Sequence, residues 1–317
     1  MTAIQTEDLT KFFGDFCAVN GLNIEADKEI FGLLGPNGSG KTTTVLMLTT
    51  LLTQDRGTAS ICGYDTRKDP DKVRSSISYV PQDMAIDTNL TGRENMLFFA
   101  KLYGVSNPRD RVDELLEVME LSSRADDLAK TYSGGMRRRL ELAEALVHEP
   151  EVIFLDEPTL GLDVAARKKI WEHIHALNRK GMTIFVTTHY MDEADRYCDR
   201  VGIINHGMIA VLGKPAELKS HLMKDVISVI VNGEYVPVDL EGVLFVGQSG
   251  DELSFTAENG REALPTLADA LSRAGNSIRA MSLREPTLDD VFLQSVGKQE
   301  ESTGFEEWKY RLMLRRR

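Results

Sequence analysis

Short, unbroken apolar runs recur along the first two thirds of the chain: "IFGLL" (30–34), "ISYVP" (77–81), "VIFL" (152–155) and "MTIFVTTH" (182–189). Runs of this length without polar alternation read as strands buried on both faces, the habit of a parallel sheet. Other segments carry apolar residues at three- and four-residue spacing, as helices do: "TTTVLMLTTLL" (42–52), "TGRENMLFFAKLYGV" (91–105), "RDRVDELLEVMEL" (109–121) and "RRRLELAEALV" (137–147), whose stripe is Leu140, Ala143 and Val147. Together they predict an α/β core with a helical subdomain inserted at about 83–150. The aromatics of "MLFFAKLY" are expected to be buried inside that insert, with an outward docking surface as the other possibility. Past "HGMIAVLGKPAELKSHL" the pattern changes to strands "DVISVIVNG", "GVLFVGQSG" and "ELSFTAEN", a helix "REALPTLADALSRAG" and a strand "SIRAMSLRE". The expected domains are therefore residues 1–220, a small α+β domain at 221–297, and a tail at 298–317 that is either frayed or a basic amphipathic segment.

Composition narrows the function classes. With 49 acidic against 37 basic residues the net charge is −12, which disfavours nucleic acid as a partner. No apolar run approaches the roughly 20 residues that span a bilayer, and "MTAIQTEDLTKFF" lacks the marks of a signal peptide. Cys17, Cys62 and Cys198 are too scattered for a disulfide framework or metal cluster, so a reducing cytoplasm is expected.

"GPNGSGKTTT" (35–44) follows the first buried strand and opens a helix. Glycines there let the unpaired N–H groups of the helix start curve around a phosphate. The spacing GxxxxGK[ST] is met by Gly35, Gly40, Lys41 and Thr42. Lys41 is placed to reach the β- and γ-phosphates of a nucleotide, and the Thr42 hydroxyl to ligate Mg²⁺. "EVIFLDEPTLGLD" (151–163) sets Asp156 at a strand end, where a magnesium carboxylate belongs, and Glu157 next to it as a general base. The same two residues also suit the cap of a helix beginning after Pro158. Ser133, Gly134 and Gly135 form a further helix start, fit either for an anion or for plain capping.

In order and spacing these segments resemble the ATP-binding subunits of ABC transporters over roughly the first 220 residues. The resemblance makes Gly35 to Thr42 the Walker A motif and "VIFLDE" Walker B. Pro36, Asn37, Gly38, Ser39 and Thr43 thereby join the ATP-binding set. Gln82 in "YVPQD" stands as the Q-loop glutamine on Mg²⁺ and water, and "YSGGM" (132–136) as the signature. Asp163 in "GLD" stands in the D-loop, His189 as the switch histidine, and Phe13 in "KFFGDFCAV" as the ring against adenine. Read singly, Gln82 is a turn residue, His189 a satisfied strand-end histidine and Phe13 core packing. "REPTLDDVFLQSVG" (284–297) resembles the C-terminal hallmark of daunorubicin-resistance-type exporters; it also reads as a helix start capped by Thr287 with Asp289 and Asp290 in its first turn.

Met136 and Tyr132 depart from the signature's usual glutamine and leucine, and Lys28 from a usual glycine, where a local backbone adjustment is expected. The resemblance implies a P-loop ATPase core of ABC type with a helical insert and an appended α+β domain. A single Walker A and a single signature imply a head-to-tail homodimer, or a pseudo-symmetric ATPase dimer, around two Mg²⁺-ATP, with Ser133, Gly134, Gly135 and Asp163 acting in trans. It would sit on the cytoplasmic face of the membrane and drive a separate permease. ABC-type ATPases of repair and of ribosomes are the alternative, but the sequence lacks their long coiled coils, second ATPase half or basic linkers.

Overall fold

The computed structural model describes residues 2–222, 224–232, 235–284 and 286–297; the expected tail lies outside the described residues. The chain divides into two compact units, Met1–Gly213 and Lys214–Arg317.

The first unit begins with a hairpin of β1 (Ile4–Phe13) and β2 (Phe16–Leu22), whose turn sets Phe13 directly across from Phe16. The short β3 (Glu25–Ala26) also pairs with β1. β4 (Ile30–Leu34) is buried at all five positions and leads through a glycine loop into α1 (Lys41–Leu48). β5 (Arg56–Ile61) returns to β1, and β6 (Tyr64–Asp65) follows it. Next come α2 (Pro70–Ser76), β7 (Ile77–Val80), and the insert helices α3 (Gly92–Leu102) and α4 (Pro108–Val118), then α5 (Gly134–Ala145). β8 (Val152–Asp156), α6 (Val164–Arg179), β9 (Thr183–Thr188), α7 (Met191–Tyr197), β10 (Arg200–Asn205) and β11 (Met208–Gly213) complete the unit.

Two sheets result. One is antiparallel, in the order β2-β1-β5-β6. The other runs β11-β10-β4-β9-β8-β7, parallel except at β11. The apolar runs form the parallel strands, and across β4, β9 and β8 Phe31 stacks on Phe185 at a centroid distance of 5.3 Å while Phe154 meets Phe185 tilted, at 5.5 Å. This order decides the chemistry: the chain leaves β4, β9, β8 and β7 at one edge of the sheet, where ligands of open α/β folds bind.

One expectation needs correction, and one alternative falls away. The helix after Pro158 starts only at Val164, with the Asp163 side chain accepting from the Ala166 N–H at 2.9 Å, so Asp156 and Glu157 cap nothing. Lys28, where a glycine is usual, takes the left-handed conformation itself, at φ 49°, and donates its N–H to Thr183 Oγ1 at 2.8 Å. In the insert, α3 buries Asn95, Met96 and Ala100, which leaves Phe98 60% and Leu102 68% exposed, with Tyr103 also outside. The α3 start itself is fixed by a capping box between Thr91 and Glu94.

The second unit starts with α8 (Pro215–Leu222). An antiparallel sheet in the order β13-β14-β12-β15 then forms from β12 (Asp225–Asn232), β13 (Val243–Ser249), β14 (Glu252–Ala257) and β15 (Ser277–Arg284). α9 (Gly260–Arg273) covers one face, burying Leu267 and Leu271 against Ile227, Val229, Leu253 and Phe255. α10 (Leu288–Gly297) ends the described chain. Its start explains the local part of "REPTLDD". The Asp290 carboxylate accepts from the Thr287 N–H and hydroxyl at 3.0 and 2.9 Å, and pairs with Arg284 at 2.8 Å. Burial opposes ionisation of Asp290, but the Thr287 and Arg284 contacts outweigh it and lower its pKa.

Candidate active site

The loop after β4 approaches other backbone so closely that only glycine fits at two points. A Cβ on Gly35 would lie 2.3 Å from the Ile204 carbonyl oxygen, and one on Gly40, at φ 108°, 2.5 Å from that of Ala18. Gly40 also precedes α1 without any side-chain cap, so the first N–H groups of the helix have no side-chain acceptor. Gly38 turns at φ 79°, and the Ser39 carbonyl accepts from the Gly207 N–H at 3.0 Å. Ser39 Oγ is buried without a partner. Pro36, Asn37 and Thr42 are exposed and Thr43 half-buried along this rim.

The loop folds over its own lysine. Lys41 is buried and donates from Nζ to the Gly35 and Pro36 carbonyls at 2.9 and 3.1 Å, with Glu157 Oε1 3.7 Å away. Burial lowers its pKa; the charges of Glu157 and Asp156 act in the opposite sense. Glu157 is buried, and His189 Nδ1 lies 2.8 Å from its Oε2. Lys41, Glu157 and His189 therefore form one chain of contacts across the ends of β4, β8 and β9. Glu157 is held there at φ 47°, its N–H shared between the Thr187 carbonyl and hydroxyl, each at 3.1 Å. The Thr187 hydroxyl donates to Asp156 Oδ1, while Asp156 Oδ2 is buried with no partner.

The remaining residues of the expected site lie around this chain. Gln82 is exposed just beyond β7. Phe13 is 52% exposed at the hairpin tip, which rules out core packing, and β2 continues from there to Ala18 and Val19 against Gly40. Ser133 caps α5 by accepting from the Met136 N–H at 3.3 Å. The α5 start packs on the segment after β8: a Cβ on Gly134 would meet Leu162, and one on Gly135 would meet Ala166 at 2.9 Å. Tyr132 is buried and donates its hydroxyl to the Arg124 carbonyl at 2.6 Å, while Met136 is half-buried.

Two residues that sequence patterning did not single out are central. Arg138, 2% exposed, donates from Nε to the Pro158 carbonyl (3.0 Å), from Nη1 to the Pro81 carbonyl (2.8 Å) and Glu141 Oε2 (2.9 Å), and from Nη2 to the Asp156 carbonyl (3.2 Å). Glu141 accepts the Ala85 N–H on Oε1 at 2.8 Å. In the sequence both hide in a charged stretch that reads as solvated; the available signal was their i,i+3 spacing beside the apolar stripe of α5.

Residues 20–160 match the ABC transporter family, and residues 213–296 match the C-terminal domain of DrrA1-3-like ATP-binding proteins. The daunorubicin/doxorubicin resistance ATP-binding protein DrrA of Streptomyces peucetius is 39% identical over 316 residues, covering 96% of each chain. The chain belongs to the ATP-binding proteins of ABC transporters. Within that family it is of the daunorubicin-resistance type. The linearmycin resistance ATP-binding protein LnrL of Bacillus subtilis (strain 168) is also similar, 36% identical over 93% of this chain and 98% of its own. Among solved structures, an ATP-binding cassette dimer in a post-hydrolysis state with ADP and Pi matches 67% of this chain and 98% of its own, at 27% identity and TM-score 0.60. As an ABC ATPase the protein binds and hydrolyses ATP to drive transport through a separate permease. The repair and ribosomal alternative gains no support from these relatives. No described helix is long and apolar enough to cross a membrane.

Proposed function

We propose that two copies close head to tail around two ATP molecules and so power a permease that exports a drug-like small molecule. The observation that carries the site assignment is the Glu157 carboxylate held between Lys41 and His189 at 3.7 and 2.8 Å. In each site the Gly35–Thr43 loop and the start of α1 cradle the phosphates, Lys41 neutralises the β- and γ-phosphates, and Phe13 stacks on the base. Glu157 takes a proton from the attacking water; His189 orients that carboxylate and touches the γ-phosphate. Ser133, Gly134, Gly135 and Asp163 of the second copy close the site.

A divalent cation fits the residues present, because the buried, unpartnered Asp156 Oδ2 is costly to leave without a positive ligand. Thr42, Gln82 and Asp156 would hold Mg²⁺, which would offset charge developing on the transferred phosphoryl group. The permease would dock on the exposed Phe98 and Leu102 of α3 and Tyr103 just after it, placing the protein on the cytoplasmic face of the membrane. The drug-like cargo rests on the resistance proteins among its relatives.

The shared site is tested by mixing two inactive variants, Lys41→Ala and Ser133→Arg. A mixed dimer then has one site with both defects and one with neither, so random pairing restores about a quarter of wild-type sites. No recovery would refute a site shared between subunits and firing independently of its twin. Glu157→Gln separately checks the general base: turnover should fall about 10²–10⁴-fold with ATP binding retained.

A further inference from the structure

Arg138 and Glu141 tie together segments that are distant in sequence. Pro81 and Ala85, held by Arg138 Nη1 and Glu141 Oε1, bracket Gln82. The Asp156 and Pro158 carbonyls, held by Arg138 Nη2 and Nε, bracket Glu157. Glu157 sits in the left-handed region at φ 47°, which a non-glycine residue keeps only where its surroundings enforce it. Arg138 supplies that enforcement on both flanks, and the same guanidinium fixes the entry to the Gln82 loop. A buried fork with several donors can serve three carbonyls and a carboxylate at once; an ammonium on a single carbon cannot.

We propose that Arg138 is a positioning residue for hydrolysis in its own subunit: it sets the Glu157 and Gln82 backbones, although it is carried on the helix whose start faces the partner's nucleotide. This rests on the shared-site reading above. The two assignments make opposite predictions, because a residue acting through the Ser133 helix start would serve the partner's site, whereas Arg138 serves the site containing its own Lys41.

The test uses full-length Arg138→Lys, which keeps the charge beside buried Glu141. Arg138→Met combined with Glu141→Gln is the companion, since it leaves no unpaired buried charge and keeps the acceptor for Ala85. Each should lower kcat between about ten- and a hundredfold while KM and binding of a fluorescent ATP analogue stay within about twofold. Each is then mixed with Lys41→Ala or with Ser133→Arg. Recovery to about a quarter of wild-type activity is expected with Ser133→Arg, whose own Arg138, Glu157 and Lys41 are intact, and none beyond background with Lys41→Ala. The reverse pattern, recovery with neither or both partners, or an unchanged kcat overturns the assignment. The mixture of Lys41→Ala with Ser133→Arg is run beside them: if that pair fails, independently firing shared sites fall and this inference with them. If only the Arg138 mixtures depart from expectation, the shared site stands and Arg138 alone loses its role.

Discussion

Glu144 should make the stability of this ATPase fall across the physiological pH range. It lies on α5, 6% exposed, with Oε1 buried and unpartnered, beside a cavity of about 80 Å³ lined by Tyr79, Ala85, Phe99, Tyr103 and Glu141. Burial, reinforced by the neighbouring Glu141 charge, pushes its pKa from 4.5 up to about 8. The folded chain therefore holds a proton that the unfolded chain releases between those values. The stability is full below pH 4.5 and is lost as pH rises towards 8. At pH 7 the loss is about 2.5 pH steps at roughly 1.36 kcal/mol each, or about 3 kcal/mol. Glu144→Gln keeps the shape and removes the titration. Thermal melts from pH 5 to pH 8.5 should show the two proteins nearly together at the acid end. At pH 7 the variant should melt higher by roughly 6–12 °C, taking about 2–4 °C per kcal/mol for a unit of this size. Parallel curves over the whole range would show that Glu144 ionises in the folded protein as it does in water.

Three further outcomes are expected. Gly40→Ala forces a Cβ to within 2.5 Å of the Ala18 carbonyl at φ 108°, so ATP-analogue binding should weaken at least about tenfold with a lower melting temperature, both readable in one thermal-shift titration. Lys28→Gly relieves a left-handed residue remote from the phosphate loop and should stabilise by about 1 kcal/mol in urea unfolding with unchanged turnover. A chain ending at Gly213 should fold and bind the ATP analogue within about twofold of full length by fluorescence, since every residue assigned to the site precedes that point.

What the sequence made legible follows the strength of each physical signal. The runs at Ile30–Leu34 and Val152–Asp156 could be read as central strands because every position in them is buried. The antiparallel sheet escaped because β1 is interrupted by irregular pairing with both β2 and β5, which breaks its alternation. Phe98 and Leu102 misled because a helix with several apolar residues does not say which face the subdomain keeps. For the candidate site, the glycine spacing exposed the phosphate loop directly. That Lys41, Glu157 and His189 meet depends on the strand order β4-β9-β8, a tertiary fact with no local trace. The Arg138 and Glu141 pair is hidden for a different reason: buried charge looks like surface charge until its partners are seen.

The left-handed backbone at Glu157 sets a limit on how durable this molecule can become while it still works. Strain of that kind costs on the order of 1–3 kcal/mol, a sizeable share of a typical domain's net stability. At Lys28 the same conformation can be exchanged for glycine without touching the phosphate loop. At Glu157 glycine would ease the backbone and delete the carboxylate in one step. Lineages that harden this protein against heat thus have the first position open to them and the second closed. A relative that had surrendered hydrolysis would be free to take both.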